Sequence, residues 1–414
     1  KYVLNLSGRR DGSSRFGPHK RFSNFGAVGA AWIFSDEPFI EKLPWLSFGK
    51  LRASYGTTGN DQIGDYQFLD TWSQSYLYPY LGTSVMVPDQ LFNPDYVWES
   101  SRKMDIALDL GLWNNKLSFS LNYYRNVSSN QLTSLSLPLQ TGFYSITVNQ
   151  DAVVKNYGWE AELRSTNINT KHFKWTTSFN IAIPRNELVA YPGIENNSLR
   201  FTNVVGQPLG AKYGYQYLGV DPKTGIYTFL DVNKDNRQSN PADYVFLDKT
   251  ALGIRYNGGL TNSFRFRNFE LDIFFNYIHQ YKQYTSLATW YRPGAMENMP
   301  AFVLDKMWKQ PGDNTELQKA TAVTSSAAYR AANLLSRSDG GYGIASYVRL
   351  RNLSFAYQLP DPLIQKLKME RARLFINGQN LITLSPFKGF DPEVERVFYL
   401  SNLKTITAGF QLNF

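Results

Sequence analysis

Thr407-Ala-Gly-Phe-Gln-Leu-Asn-Phe414 closes the chain, and its reading decides the fold. On an extended backbone successive side chains point to opposite faces. Ile406, Ala408, Phe410, Leu412 and Phe414 therefore share one side, and Thr405, Thr407, Gly409, Gln411 and Asn413 the other. One face is apolar, the other polar, and the final residue is aromatic. A strand of this kind at the end of a chain predicts a sheet that closes into a barrel; the alternative is the last strand of a soluble sandwich.

The same alternation recurs upstream. Met104, Ile106, Leu108, Leu110 and Leu112 oppose Asp105, Ala107, Asp109 and Gly111, and Leu117, Phe119, Leu121 and Tyr123 oppose Ser118, Ser120 and Asn122. Further sets run through Trp159–Leu163, Phe173–Ile181, Tyr256–Phe266, Phe269–Tyr277, Leu353–Leu359 and Ala372–Ile376. Less regular stretches lie at 2–8, 25–34 and 46–55. The pattern predicts an all-β, antiparallel chain of about twelve strands.

The connections separate the barrel from the sandwich. Those at 113–116, 167–172 and 267–268 are tight, and those at 35–45 and 361–370 moderate. Those at 57–100, 128–156, 184–253, 280–345 and 381–404 are long. Short turns on one side and long loops on the other mark an outer-membrane barrel with periplasmic turns and extracellular loops. With the last strand descending, every long loop falls outside. Asp105, Asp109, Glu160, Glu162, Arg255 and Arg265 lie on the non-apolar faces, where a dry core would exact a desolvation cost. A watery or plugged lumen tolerates them.

Composition agrees. The mean hydropathy of −0.36 fits strands in which only alternate residues meet lipid. No run approaches the roughly 18–20 apolar residues of a membrane helix. The 27 Tyr, 28 Phe and 9 Trp among 414 residues suit both membrane interfaces and sugar- or peptide-binding surfaces. With no cysteine, disulfide scaffolds and thiolate sites are excluded. The net charge of +9 is scattered, as in Arg102-Lys-Met-Asp105, rather than gathered into a nucleic-acid-binding stripe, so no nucleic-acid partner is expected.

The segment 231–243 has the oxygen spacing of a calcium loop. Asp231, Asn233 and Asp235 take positions 1, 3 and 5, the Arg237 carbonyl position 7, and Asp243 stands one residue late. Asn236 occupies the usual turn glycine and no Glu falls at position 12. Calcium and a solvated Asx-rich turn are both compatible with this loop. Trp72, Tyr76, Tyr78, Tyr80, Trp98, Trp290, Tyr291 and Trp308 crowd the long loops; the first seven are the candidate substrate-binding residues, against the alternative of loop packing. His19, His172 and His279 lie outside any nucleophile or H-E-x-x-H motif, and no catalytic residue is predicted.

Several stretches, in order, resemble the SusC-like TonB-dependent transporters. They are Ser7-Gly-Arg-Arg-Asp-Gly-Ser-Ser-Arg-Phe-Gly17, Leu51-Arg-Ala-Ser-Tyr-Gly-Thr-Thr-Gly-Asn60, Asn156-Tyr-Gly-Trp-Glu160 and the Asp231 loop. Ala345-Ser-Tyr-Val-Arg-Leu-Arg-Asn-Leu-Ser354, Ile376-Asn-Gly-Gln-Asn-Leu381, Gly389-Phe-Asp-Pro-Glu393 and the terminal β-signal-like Thr407–Phe414 follow. The resemblance implies a 22-stranded barrel of which residues 1–414 form the C-terminal part, with the plug domain, TonB box and early strands outside this chain. The strand of Phe414 would then pair with one upstream of Lys1. It further implies outer-membrane localisation in a Gram-negative bacterium, contact with membrane lipid, a SusD-like surface lipoprotein as lid, the TonB complex acting through the N-terminal part, and import of a glycan oligosaccharide or peptide. The alternative is a self-contained twelve-stranded outer-membrane barrel acting as passive pore, adhesin or barrel enzyme.

Overall fold

The computed structural model describes all residues except 94, 197, 240, 249–252, 284–292, 295, 297–298, 300, 367, 388–390 and 395–399. Twelve long strands run in sequence order across one antiparallel sheet. They are β1 (Tyr2–Gly12), β2 (Phe22–Ile33), β3 (Leu46–Asn60), β4 (Glu99–Leu112), β5 (Leu117–Ser129), β6 (Val153–Asn169), β7 (Phe173–Ala190), β8 (Ile254–Phe266), β9 (Phe269–Gln283), β10 (Tyr347–Gln358), β11 (Arg371–Leu384) and β12 (Thr405–Asn413). Each pairs with its neighbours in the chain, and a short strand, Tyr342–Ile344, pairs antiparallel with the end of β9. Among the described residues β1 and β12 are the two edges and do not pair with each other.

Register puts the predicted faces together. Ile106 sits opposite Tyr123, Tyr123 opposite Trp159, and Trp159 opposite Ile183 on the apolar face. Asp109, Ser120, Glu162 and Asn180 form the corresponding polar row. In β12, Ile406, Ala408, Phe410 and Leu412 face Gly378, Ile376, Leu374 and Ala372 of β11, so the closing stretch has the predicted orientation. A slip of one residue would exchange the two faces throughout, and this fixes the register. Gly258 shows the packing on the apolar face: a Cβ there would collide with Tyr277, whose hydroxyl reaches across to donate to the Asn180 carbonyl at 3.0 Å.

The tight turns lie at one end. Trp113, Asn114 and Asn115 all have positive φ, as does Arg267, and each reverses the chain within a few residues. The long connections gather at the other end and carry structure of their own. A hairpin of Thr71–Tyr80 and Thr83–Gln90 rises between β3 and β4, and another of Gln131–Ser136 and Ser145–Gln150 between β5 and β6. The segment 13–21 is the one short connection at this end. Among the described residues no helix is long and apolar enough to cross a membrane.

Candidate functional site

Several charges on the polar face of the sheet are paired. Arg52 lies 3.5 Å from Asp109, which also accepts from Ser120 Oγ at 2.7 Å. Glu270 holds Arg265 at 2.7 Å and Arg373 at 3.7 Å. These side chains stand where water or a polar occupant would reach them.

At the loop end, the β7–β8 and β9–β10 connections fold into one cap. Tyr215, Tyr227 and Phe229 from the first pack with Ala331 and Leu335 from the second. The latter two belong to α1 (Ala327–Leu335), whose N-cap Ser326 accepts from the Tyr329 amide at 3.1 Å. Asp339 Oδ1 accepts from the Tyr217 amide at 2.7 Å, and the Tyr215 amide donates to the Arg337 carbonyl at 3.1 Å. Buried Gln318 accepts from the Tyr227 amide and donates to the Ala328 carbonyl at 2.7 Å. Burial raises the Tyr217 phenol pKa and pushes that of Tyr227 up to about 12. Gly225, at φ +69°, underlies the Trp308 indole so closely that a Cβ would overlap it. Trp308 also donates to the Pro222 carbonyl at 3.0 Å and is thus a packing residue.

The Asp231 loop forms part of this cap. Asp243 is fully buried; its carboxylate accepts from the amides of Val232 at 2.9 Å and Ser239 at 2.8 Å, and these donors hold its pKa below the ordinary aspartate value. Asp231 accepts from the Lys234 and Asn236 amides, Asn233 from Asp235, and Asp235 from Arg237. The four predicted ligands thus turn their oxygens to the loop's own N–H groups. Among the described residues no three His, Cys, Asp or Glu side chains converge as a metal site. These contacts are those of Asx turns, one of the two readings compatible with the loop.

The candidate binding aromatics divide. Trp72, Tyr76 and Tyr80 share one parity on the Thr71–Tyr80 strand and are 56%, 76% and 73% exposed. Trp98 instead wedges between Phe16 at 5.3 Å and Phe25 at 5.7 Å and donates to the Arg21 carbonyl, so it anchors the 13–21 connection. Trp290, Tyr291 and the side chain of Tyr78 lie outside the described residues. His279 Nδ1 meets Ser346 Oγ at 2.8 Å, but its ring stacks on Tyr256, and among the described residues no carboxylate joins the pair.

One constellation was not assigned a role from sequence. Arg349 and Arg351 on β10 face Asp391 and Glu393 from the β11–β12 loop. Arg349 reaches Asp391 at 2.7 Å and Glu393 at 2.6 Å, Arg351 reaches Glu393 at 2.9 Å, and Asn402 Nδ2 donates to the same Glu393 oxygen at 2.6 Å. Gln280 Nε2 donates to the Pro392 carbonyl at 3.1 Å, and Arg349 Nε to Thr383 Oγ1 at 2.9 Å. The acids and arginines stand in two of the motifs quoted above, but nothing in either motif shows that they meet.

A twelve-stranded antiparallel wall, polar on one face and apolar on the other, with folded loops at one end, defines the class as a membrane β-barrel. The chain belongs to the TonB-dependent receptor family: the family model described as TonB dependent receptor-like, β-barrel, matches residues 1–381. TonB-dependent receptor P3 of Formosa agariphila is 29% identical over 428 residues, covering 95% of this chain and 40% of that protein. TonB-dependent receptor SusC of Bacteroides thetaiotaomicron is 25% identical over 424 residues, with 95% and 40% covered. The structure of the RagAB peptide transporter aligns with a TM-score of 0.85 and 26% identity, over 100% of this chain and 46% of that one. The chain therefore spans less than half the length of these relatives.

Proposed function

We propose that this chain is the C-terminal barrel wall of an outer-membrane, TonB-dependent importer that takes up a glycan oligosaccharide or a peptide. The observation that carries the reading is the placement of the structured long connections at one end of the strands, opposite the tight turns. That asymmetry supports a mouth facing outward and a polar path leading inward. The likeness to SusC and to a RagAB peptide transporter supports nutrient import and a SusD-like lipoprotein seated over the loops. Trp72, Tyr76 and Tyr80 would offer aromatic faces to the ligand or the lid. Energy would come from the TonB complex acting on a plug contributed by the rest of the receptor.

A deletion strain grown on defined glycans and peptides as sole nutrients tests the reading. Loss of growth on one class, restored by the gene, is expected; unchanged growth and uptake on all of them would remove it. The self-contained twelve-stranded pore is disfavoured because its edge strands, β1 and β12, would have to pair and do not among the described residues.

A further inference from the structure

The apolar face of β4–β7 changes character near the loop end. Its lower rows are Leu110, Phe119, Leu163 and Phe179, then Leu108, Leu121, Ala161 and Ile181. A row of Ile106, Tyr123, Trp159 and Ile183 follows, with the Tyr123 and Trp159 rings 4.9 Å apart. Above it, on the same face, stand Met104, Arg125, Tyr157 and Arg185, and then Arg102, Val127, Lys155 and Glu187. Four cations thus occupy four adjacent strands, with Glu187 the one acid in these two rows.

Their height is set by strand geometry. From Leu112 to Arg102 the rise is about 34 Å along the strand, or about 26 Å along the barrel axis at a tilt near 40°. The lipid-facing apolar band of such barrels is about 25 Å tall. The cations consequently fall at its outer boundary, just beyond the aromatic row, where charge is tolerated and meets head groups.

Their partners leave capacity to spare. Arg102 and Arg125 are exposed, and neither guanidinium has a side-chain hydrogen bond or ion pair among the described residues. Lys155 lies 4.9 Å from the centre of the Tyr157 ring and 2.6 Å from Glu187. Arg185 directs one guanidinium nitrogen to the carbonyls of Pro184 and Arg255. On β1, Arg10 repeats the motif, lying 4.9 Å from the centre of the Phe22 ring.

We propose that Arg102, Arg125 and Lys155, supported by Arg185, form a binding patch for the phosphate-bearing head group of an anionic lipid in the outward leaflet. The inference rests on the outer-membrane reading above. The guanidinium groups supply forked donors that match phosphate oxygens, and Tyr123 and Trp159 lie against the adjoining lipid.

Native mass spectrometry of the intact receptor, titrated with lipid A (a bisphosphorylated glycolipid) or its dephosphorylated form, tests the patch. Saturable binding of the phosphorylated lipid is expected. It should weaken about fivefold in R125Q and about a hundredfold in R102Q/R125Q/K155Q, and R102K/R125K, which keeps the charge but loses the forked donors, should weaken it less than R102Q/R125Q does. Equal binding of the dephosphorylated lipid, or wild-type binding by a folded R125Q or triple variant, would overturn it. Heat-modifiable mobility is read in parallel. A receptor lacking it defeats the barrel reading together with this patch, whereas a heat-modifiable receptor that ignores lipid phosphate defeats the patch alone.

Discussion

Arg349 Nη2 lies 2.7 Å from Asp391 Oδ1, and both side chains are almost wholly withdrawn from water. This ion pair joins β10 to the loop that returns from β11 to β12, across 42 residues of chain. Its desolvation is offset only because Asp391 also accepts from the Glu393 amide at 2.9 Å and Arg349 also engages Glu393 and Thr383.

Removing one partner leaves a buried charge alone. R349M and D391N are each expected to destabilise the loop by about 3–5 kcal/mol, whereas the double variant R349M/D391L should recover much of that loss. Hydrogen exchange at the Glu393 and Asn402 amides, both of which donate to Asp391, reads the effect directly. Unchanged protection in R349M would contradict the role assigned to the pair.

Asp243 sets an acid limit on the cap. Its folded pKa is depressed by the Ser239 and Val232 amides, so its contribution is present above the unfolded value of about 4. It is lost as pH falls from there through the folded value. D243N should cost about 1–3 kcal/mol, since the Val232 and Ser239 amides meet different oxygens and one of these becomes an NH2 that cannot accept, and should flatten that acid limb. Proteolysis of the cap against pH measures both. Because the 231–243 oxygens are engaged by their own backbone, millimolar calcium or a chelator should leave the melting temperature unchanged; a calcium-dependent rise would support the metal reading instead.

Tyr227 sets the alkaline limit. Burial raises its pKa to about 12, above the unfolded value near 10. Its contribution is therefore complete below pH 10 and is lost as pH climbs through 12. Tyrosinate absorbance should show a late-titrating class, to which Tyr217 also belongs, that loses one member in Y227F, with the cap opening before the barrel strands.

The exposed hairpin should matter to uptake and not to folding. W72A, Y76A and Y80A are each expected to reduce ligand or lid affinity about fivefold, at roughly 1 kcal/mol per lost aromatic contact. Heat-modifiable mobility of the triple variant should match the parent. If uptake and lid capture both survive intact in it, these residues are not the contact surface.

Sequence alone determined the strands, their faces and their direction. Alternation such as Leu117–Tyr123 is written into neighbouring residues, because backbone geometry sends every second side chain to the same side. The lengths between such runs separated the two ends. Tertiary structure decided which loop residues are free and which are structural. Trp72 and Trp98 look alike in the sequence, yet one projects from a hairpin while the other is wedged between Phe16 and Phe25. The cap core joins Tyr215, Tyr227 and Phe229 to Ala331 and Leu335, and the Arg349 cluster unites two separated motifs. Such contacts depend on how the sheet brings distant loops to one rim, and no local periodicity encodes that distance. The aligned register likewise turned Arg102, Arg125 and Lys155, scattered in the chain, into one patch at the edge of the apolar band.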